Sequence, residues 1–126
     1  MDKLFNILTY VIGFLFLLMG LQWLVDPTSA AAGLGMSLLS GHGLSTQIGD
    51  LASFFLVVGV FTLCAAVKKD KVWLYTPIAL FSFAAISRII AFVFHDAALS
   101  TDKILVELVL AGFLIFLVKR KENSFS

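Results

Sequence analysis

The chain has 126 residues, 60% of them hydrophobic and only 13% charged, with a mean hydropathy of +1.03. A net charge of +1 leaves no basic excess for phosphate backbones, so no nucleic-acid partner is expected. The single cysteine, Cys64, excludes an intrachain disulfide and is read as a small apolar packing residue.

A soluble domain is about a quarter charged. This composition predicts instead a one-domain integral membrane protein, all-α, whose solvent partner is the lipid bilayer. Backbone groups in hydrocarbon must be satisfied internally, and the alternation of barrel strands is missing, so the spans are expected to be helices. The first runs from about residue 4 to 25. Lys3 before it and Ala30, Ala31 and Ala32 after it imitate a signal peptide, but the apolar stretch is too long for one and is expected to stay. Asn6, Tyr10 and Gln22 are read as interhelical hydrogen-bonding groups. Gly13 and Gly20, seven apart, are read as a close-contact seam.

The connection from Asp26 to Gln47 opens "DPTSAAAGLG". Asp26 suits an N-cap, Pro27 the first helical position, and Gly33 or Gly35 the stop, which predicts a short helix on the outer surface. "SGHGLST" is expected to be a flexible loop, with Ser45 capping a second span of about 48–67. "KKDK" predicts a tight turn into a third span of about 72–94, making these two antiparallel neighbours. The fourth span, about 101–118, is short and relies on Lys119 and Arg120 snorkelling to the interface. The tail "KRKENSFS" is expected to be solvated.

These spans make a four-helix membrane bundle with one short surface helix between the first two. Lys3, Lys68, Lys69, Lys71, Lys119, Arg120 and Lys121 fall on one side and Lys103 on the other, which predicts that both termini are cytoplasmic. Trp23 is expected in an aromatic belt at the outer interface, with Trp73 and Tyr75 at the inner one.

Three ionisable residues then share one layer of the outer leaflet. Arg88 lies about 10 Å below the outer boundary at ~1.5 Å of rise per residue. Asp50 sits near the start of the second span and Glu107 one to two turns into the fourth. A lone charge at mid-span costs about 2.5–3.5 kcal/mol, less near the interface. Convergence into an Asp50–Arg88–Glu107 cluster relieves that cost, and the planar guanidinium suits it. On the third span Phe81, Ala84, Ala85, Arg88, Ala91 and His95 form one stripe. Asp50, Ser53 and Val57 share a face of the second, and Glu107, Ala111 and Leu114 a face of the fourth.

Two acids and one base leave one negative charge, to be balanced by a proton, a bound cation, or His42 or His95 from the same side. Gln22, Ser53, His42, His95 and Asp96 are the outer-side residues expected to contribute. The plainer readings are that the cluster only staples the helices, or that Arg88 snorkels to lipid phosphate while Glu107 pairs with Lys103 one turn away. His42 and His95 lack metal-ligand spacing. His95–Asp96 beside a serine has no strained elbow and sits at a helix end, so neither a catalytic residue nor a metal is expected. The phenylalanines are read as packing or lipid-facing residues, and no cofactor is expected.

"GLQWLVDP", "GDLASFFLVVG", "SRIIAFVFHD" and "VELVLA" together resemble a family of small four-span bacterial membrane proteins, a domain of unknown function broadly DoxX-like in layout. The resemblance covers nearly the whole chain. It is carried by an arginine in the third span, an aspartate at its outer end and a glutamate in the fourth, here Arg88, Asp96 and Glu107. The family pattern often has an arginine before the second span and a glycine after the third-span aspartate, where this chain has Ile48 and Ala97. The resemblance implies the bacterial inner membrane and an Arg88–Glu107 pairing. It implies no activity, and no residue here carries the quinone-coupled sulfur oxidation linked to DoxX-like proteins.

From residues and resemblance the chain is expected to be a non-enzymatic membrane protein that binds a small polar or amphipathic ligand, in a cavity above Arg88, or serves as an accessory subunit. Two alternatives stand beside this. One is a proton- or cation-coupled transporter, for which the inner half has few polar groups and the first span no acid. The other is a structural partner in a membrane complex.

Overall fold

The computed structural model describes residues 2–120; the tail expected to be solvated lies, from Lys121 onward, outside the described residues. The described residues are helical with no strand. The helices are α1 (Asp2–Val25), α2 (Pro27–Gly33), α3 (Gly41–Lys68), α4 (Tyr75–His95) and α5 (Thr101–Lys119). A 3-10 turn, Lys71–Leu74, leads into α4. Three helical segments, Asp2–Val25, Gly41–Lys68 and Lys71–His95, are long and apolar enough to cross a membrane. α5 is shorter and holds Asp102, Lys103, Glu107 and Lys119 within 19 residues, and it does not join that set.

The strongest pairing, α1 on α3, follows from two matched stripes. On α1 the buried residues are Thr9, Gly13, Phe16, Gly20 and Trp23, spaced alternately four and three apart. On α3 Ala52, Phe55, Gly59, Thr62 and Ala66 repeat the pattern. Such spacing keeps one seam facing its partner along the length of both helices. Gly13 packs on Leu63, Gly20 on Leu56, and Gly59 on the backbone of Leu17, so the glycine seam expected on α1 is present and has a counterpart on α3. Close backbone approach of this kind gives van der Waals contact where hydrophobic driving force between helices is lacking.

α4 packs chiefly on α5, and the two pairs meet through aromatic rings. Phe16 of α1 is 5.3 Å from Phe81 of α4, edge to face, and Phe5 of α1 is 5.4 Å from Phe116 of α5. Arg120 lies over the Phe5 ring and pairs with Asp2, and Lys71 donates to the Arg120 carbonyl. Both ends of the described chain and the α3–α4 turn therefore meet at one end of the molecule.

The turns follow their sequence signals, with two exceptions. The Asp26 side chain accepts from the Ser29 amide and Pro27 opens α2, as the sequence predicts. Lys69, in the left-handed region, ends α3, and Asp70 accepts from the Val72 amide to start the 3-10 turn. The first exception is the stretch read as a loop with a Ser45 cap. α3 begins at Gly41, with Ser40 at the N-cap position but making no side-chain capping bond, so His42 through Gln47 are helical. Two glycines cost a helix about 1 kcal/mol each. That cost is offset here by the buried Gln47 side chain, which accepts from the Leu39 amide at 3.0 Å and donates to the Ser37 carbonyl at 3.1 Å, folding the preceding loop onto the helix. The second exception is Trp23, expected in an interfacial belt. It is only 1% exposed, because it ends the buried stripe of α1 and shares its core cluster with Ala30 and Ala31 of α2.

A candidate ligand site at the junction of four helices

Arg88 follows the buried residues Phe81 and Ala85 along one stripe of α4. Glu107 opens the buried stripe of α5 that continues through Ala111, Leu114 and Leu117. Packing the two stripes together joins the side chains. Arg88 Nε donates to both Glu107 carboxylate oxygens, at 3.0 and 3.1 Å. The Glu107 side chain is 10% exposed and that of Arg88 is 34% exposed. A carboxylate this far from solvent is costly unless it is paired and hydrogen-bonded, and Arg88 supplies both.

Beside this pair is a cavity of about 420 Å3. All four long helices contribute to it. Phe16 and Met19 come from α1, Leu51, Phe54 and Phe55 from α3, and Phe81 and Ala84 from α4, with Val106 and Glu107 from α5. Gly33 and Leu34, at the end of α2, also line it. The rings of Phe16, Phe54, Phe55 and Phe81 touch one another at centroid distances of 5.2–6.0 Å and make a continuous apolar wall. The polar part of the lining is Arg88 and Glu107 together with Asp102 and Lys103, whose side chains pair at 3.4 Å. Cavities of this size, largely apolar with a few convergent polar groups, are the usual form of a small-molecule site.

The structure brings together two of the three residues expected to cluster. Asp50 is exposed and makes no hydrogen bond or ion pair with Arg88 or Glu107. The reason is helical rotation. Asp50 is two residues before Ala52 on the buried stripe of α3, which turns it roughly 160° away at ~100° per residue. Ser53, expected on the same inward face, is exposed with it. Asp50 instead lines a shallow groove with His42, Thr46 and Gln47 under the α2–α3 loop. With Asp50 outside, the surplus negative charge expected of a three-membered cluster does not arise: Arg88 balances Glu107. Lys103 pairs with Asp102 rather than with Glu107.

The other expected contributors do not line the cavity. Gln22 and Tyr10 are exposed on α1, and among the described residues neither they nor Asn6 make an interhelical hydrogen bond. His95 and Asp96 are exposed at the end of α4, where Asp96 adopts the left-handed conformation that stops the helix. Among the described residues no group of His, Cys, Asp or Glu is placed to hold a metal ion. The site features that sequence reasoning missed are Asp102 and Lys103 as lining residues and the phenylalanine wall itself. The wall's only signal was the density of phenylalanine in "SFF" and "LFSF" near the charged layer.

No family model, curated protein or solved structure matches this chain.

Proposed function

We infer that this is a four-span membrane protein that holds one small amphipathic molecule in the cavity between its helices and binds it without transforming it. The observation that carries this reading is the aromatic cavity with an internally balanced ion pair in its wall. A purely structural staple needs the ion pair but not a concave aromatic pocket beside it.

Native mass spectrometry in a mild detergent is the test. The wild type is expected to retain an amphiphile that Ala84→Phe, which fills the cavity, releases. Equal retention by both proteins, or retention by neither, overturns the reading.

In this reading α5 is the fourth span. Its charged residues fall at its ends or, in the case of Glu107, on the inward stripe, leaving the outward face apolar. Both termini face the cytoplasm of a bacterial inner membrane, the side to which seven of the eight Lys and Arg other than Arg88 are assigned. The meeting of Asp2, Lys71 and Arg120 at one end supports an even number of crossings. A membrane-impermeant thiol reagent, applied to intact cells in a Cys64→Ser background, is expected to label Leu99→Cys and spare Lys69→Cys. The reverse pattern inverts the topology, and labelling of both or neither breaks it.

A further inference from the structure

Glu107 takes only the Nε of Arg88. A guanidinium carries five N–H donors, and the other four are on Nη1 and Nη2. Among the described residues neither Nη group has a hydrogen-bond partner, although Arg88 lines the cavity. The Arg88 side chain is 34% exposed, so these donors are open to water or to a ligand oxygen. The charges around the void cancel. Arg88 is matched by Glu107 and Lys103 by Asp102. A ligand with its own anionic group would bring an uncompensated charge against an aromatic wall, which is disfavoured. A pure hydrocarbon would leave the Nη donors unmet.

We propose that the cavity selects an uncharged, chain-bearing molecule by a carbonyl oxygen, of an ester, amide or ketone, that accepts from Nη1 and Nη2 of Arg88 while the chain lies against Phe16, Phe54, Phe55 and Phe81. Glu107 is then a positioning residue. It neutralises the guanidinium and holds it by the edge, so that the forked end stays available. This assignment rests on the cavity being a ligand site and adds the class of ligand.

Three probes of one chain length separate the possibilities: a methyl ester, the free carboxylate and the alkane, each titrated into the detergent-solubilised protein. The ester is expected to bind wild type roughly tenfold or more tighter than the alkane, the scale of one hydrogen bond from a charged donor, and tighter than the carboxylate. In Arg88→Met/Glu107→Met, which keeps side-chain volume and removes both charges, the advantage of the ester over the alkane is expected to fall below about twofold, the expected result of losing that hydrogen bond.

A carboxylate that binds as well as the ester or better overturns the neutral-ligand assignment, as does an ester advantage that survives in the double variant. Equal binding of ester and alkane, blocked by Ala84→Phe, sinks the role of Arg88 while leaving the cavity as a site. Failure of all three probes to bind removes the cavity reading as well. The wild-type comparison of ester with alkane decides the matter even if the double variant does not fold.

Discussion

Arg88→Met and Glu107→Met are each expected to destabilise the protein by roughly 2–4 kcal/mol, while the double variant is expected to lie within about 1 kcal/mol of wild type. Each single change leaves one ionised group at a helix junction with its partner gone, and the cost is mostly that of the orphaned charge. Glu107, 10% exposed, is the worse group to strand, so Arg88→Met is the more damaging single change. Arg88 is a third exposed, which reduces its own penalty through contact with water or headgroups. Removing both charges and keeping the side-chain volume restores a packed junction. Asp50→Asn, outside the pair, is expected to add to either single variant without coupling, within about 0.5 kcal/mol. Unfolding in mixed micelles across this set gives the coupling directly. Additive effects of Arg88→Met and Glu107→Met sink the pairing.

Gly59→Ala carries the second large effect, an expected loss of about 1–3 kcal/mol from a single added methyl. A Cβ at this position would lie 2.5 Å from the Leu17 amide nitrogen and 2.8 Å from the Gly13 carbonyl oxygen. Both obstacles are main chain, so relief requires α1 and α3 to part along a seam that also contains Gly13 and Gly20. Gly112→Ala is the matched control. It lies in α5 with nothing within 4 Å of the added carbon, and no loss is expected. A drop in unfolding temperature for Gly59→Ala alone is the predicted pattern, and equal behaviour of the two variants would show that the helices do not meet as closely as described.

The helices were legible because long uncharged runs bounded by Lys clusters and glycine–proline signals leave the backbone few choices. The short α2 was legible too, since Asp26 and Pro27 act locally and need no tertiary partner. The pairing of Arg88 with Glu107 followed from depth and from the alanine stripe on α4. Asp50 was misplaced because depth along a helix says nothing of rotation about it; only the seam of Ala52, Phe55 and Gly59 fixes that, and it becomes visible once α1 is seen to match it. The start of α3 was missed because the contacts offsetting two glycines come from Gln47 reaching back 8 and 10 residues, beyond any local signal. A cavity above Arg88 was implied by the ligand-binding reading, but its volume and its phenylalanine lining were not legible. A void is a property of how four surfaces fail to fill space, and no single residue encodes it.

In the proposed four-span arrangement, the pairing of Arg88 and Glu107 also bears on how the chain enters the bilayer. The two residues are 19 positions apart, on either side of a short connection, so they come within reach of each other as soon as the α4–α5 hairpin forms. Arriving alone, Arg88 would carry an insertion cost of up to about 2.5–3.5 kcal/mol until its partner followed. Arriving joined, the two helices bring a neutral unit whose charges are already matched. α4 and the polar, marginal α5 are thus suited to partition from the translocation machinery together, with each making the other's passage affordable, and the α1–α3 pair provides the surface onto which that hairpin docks.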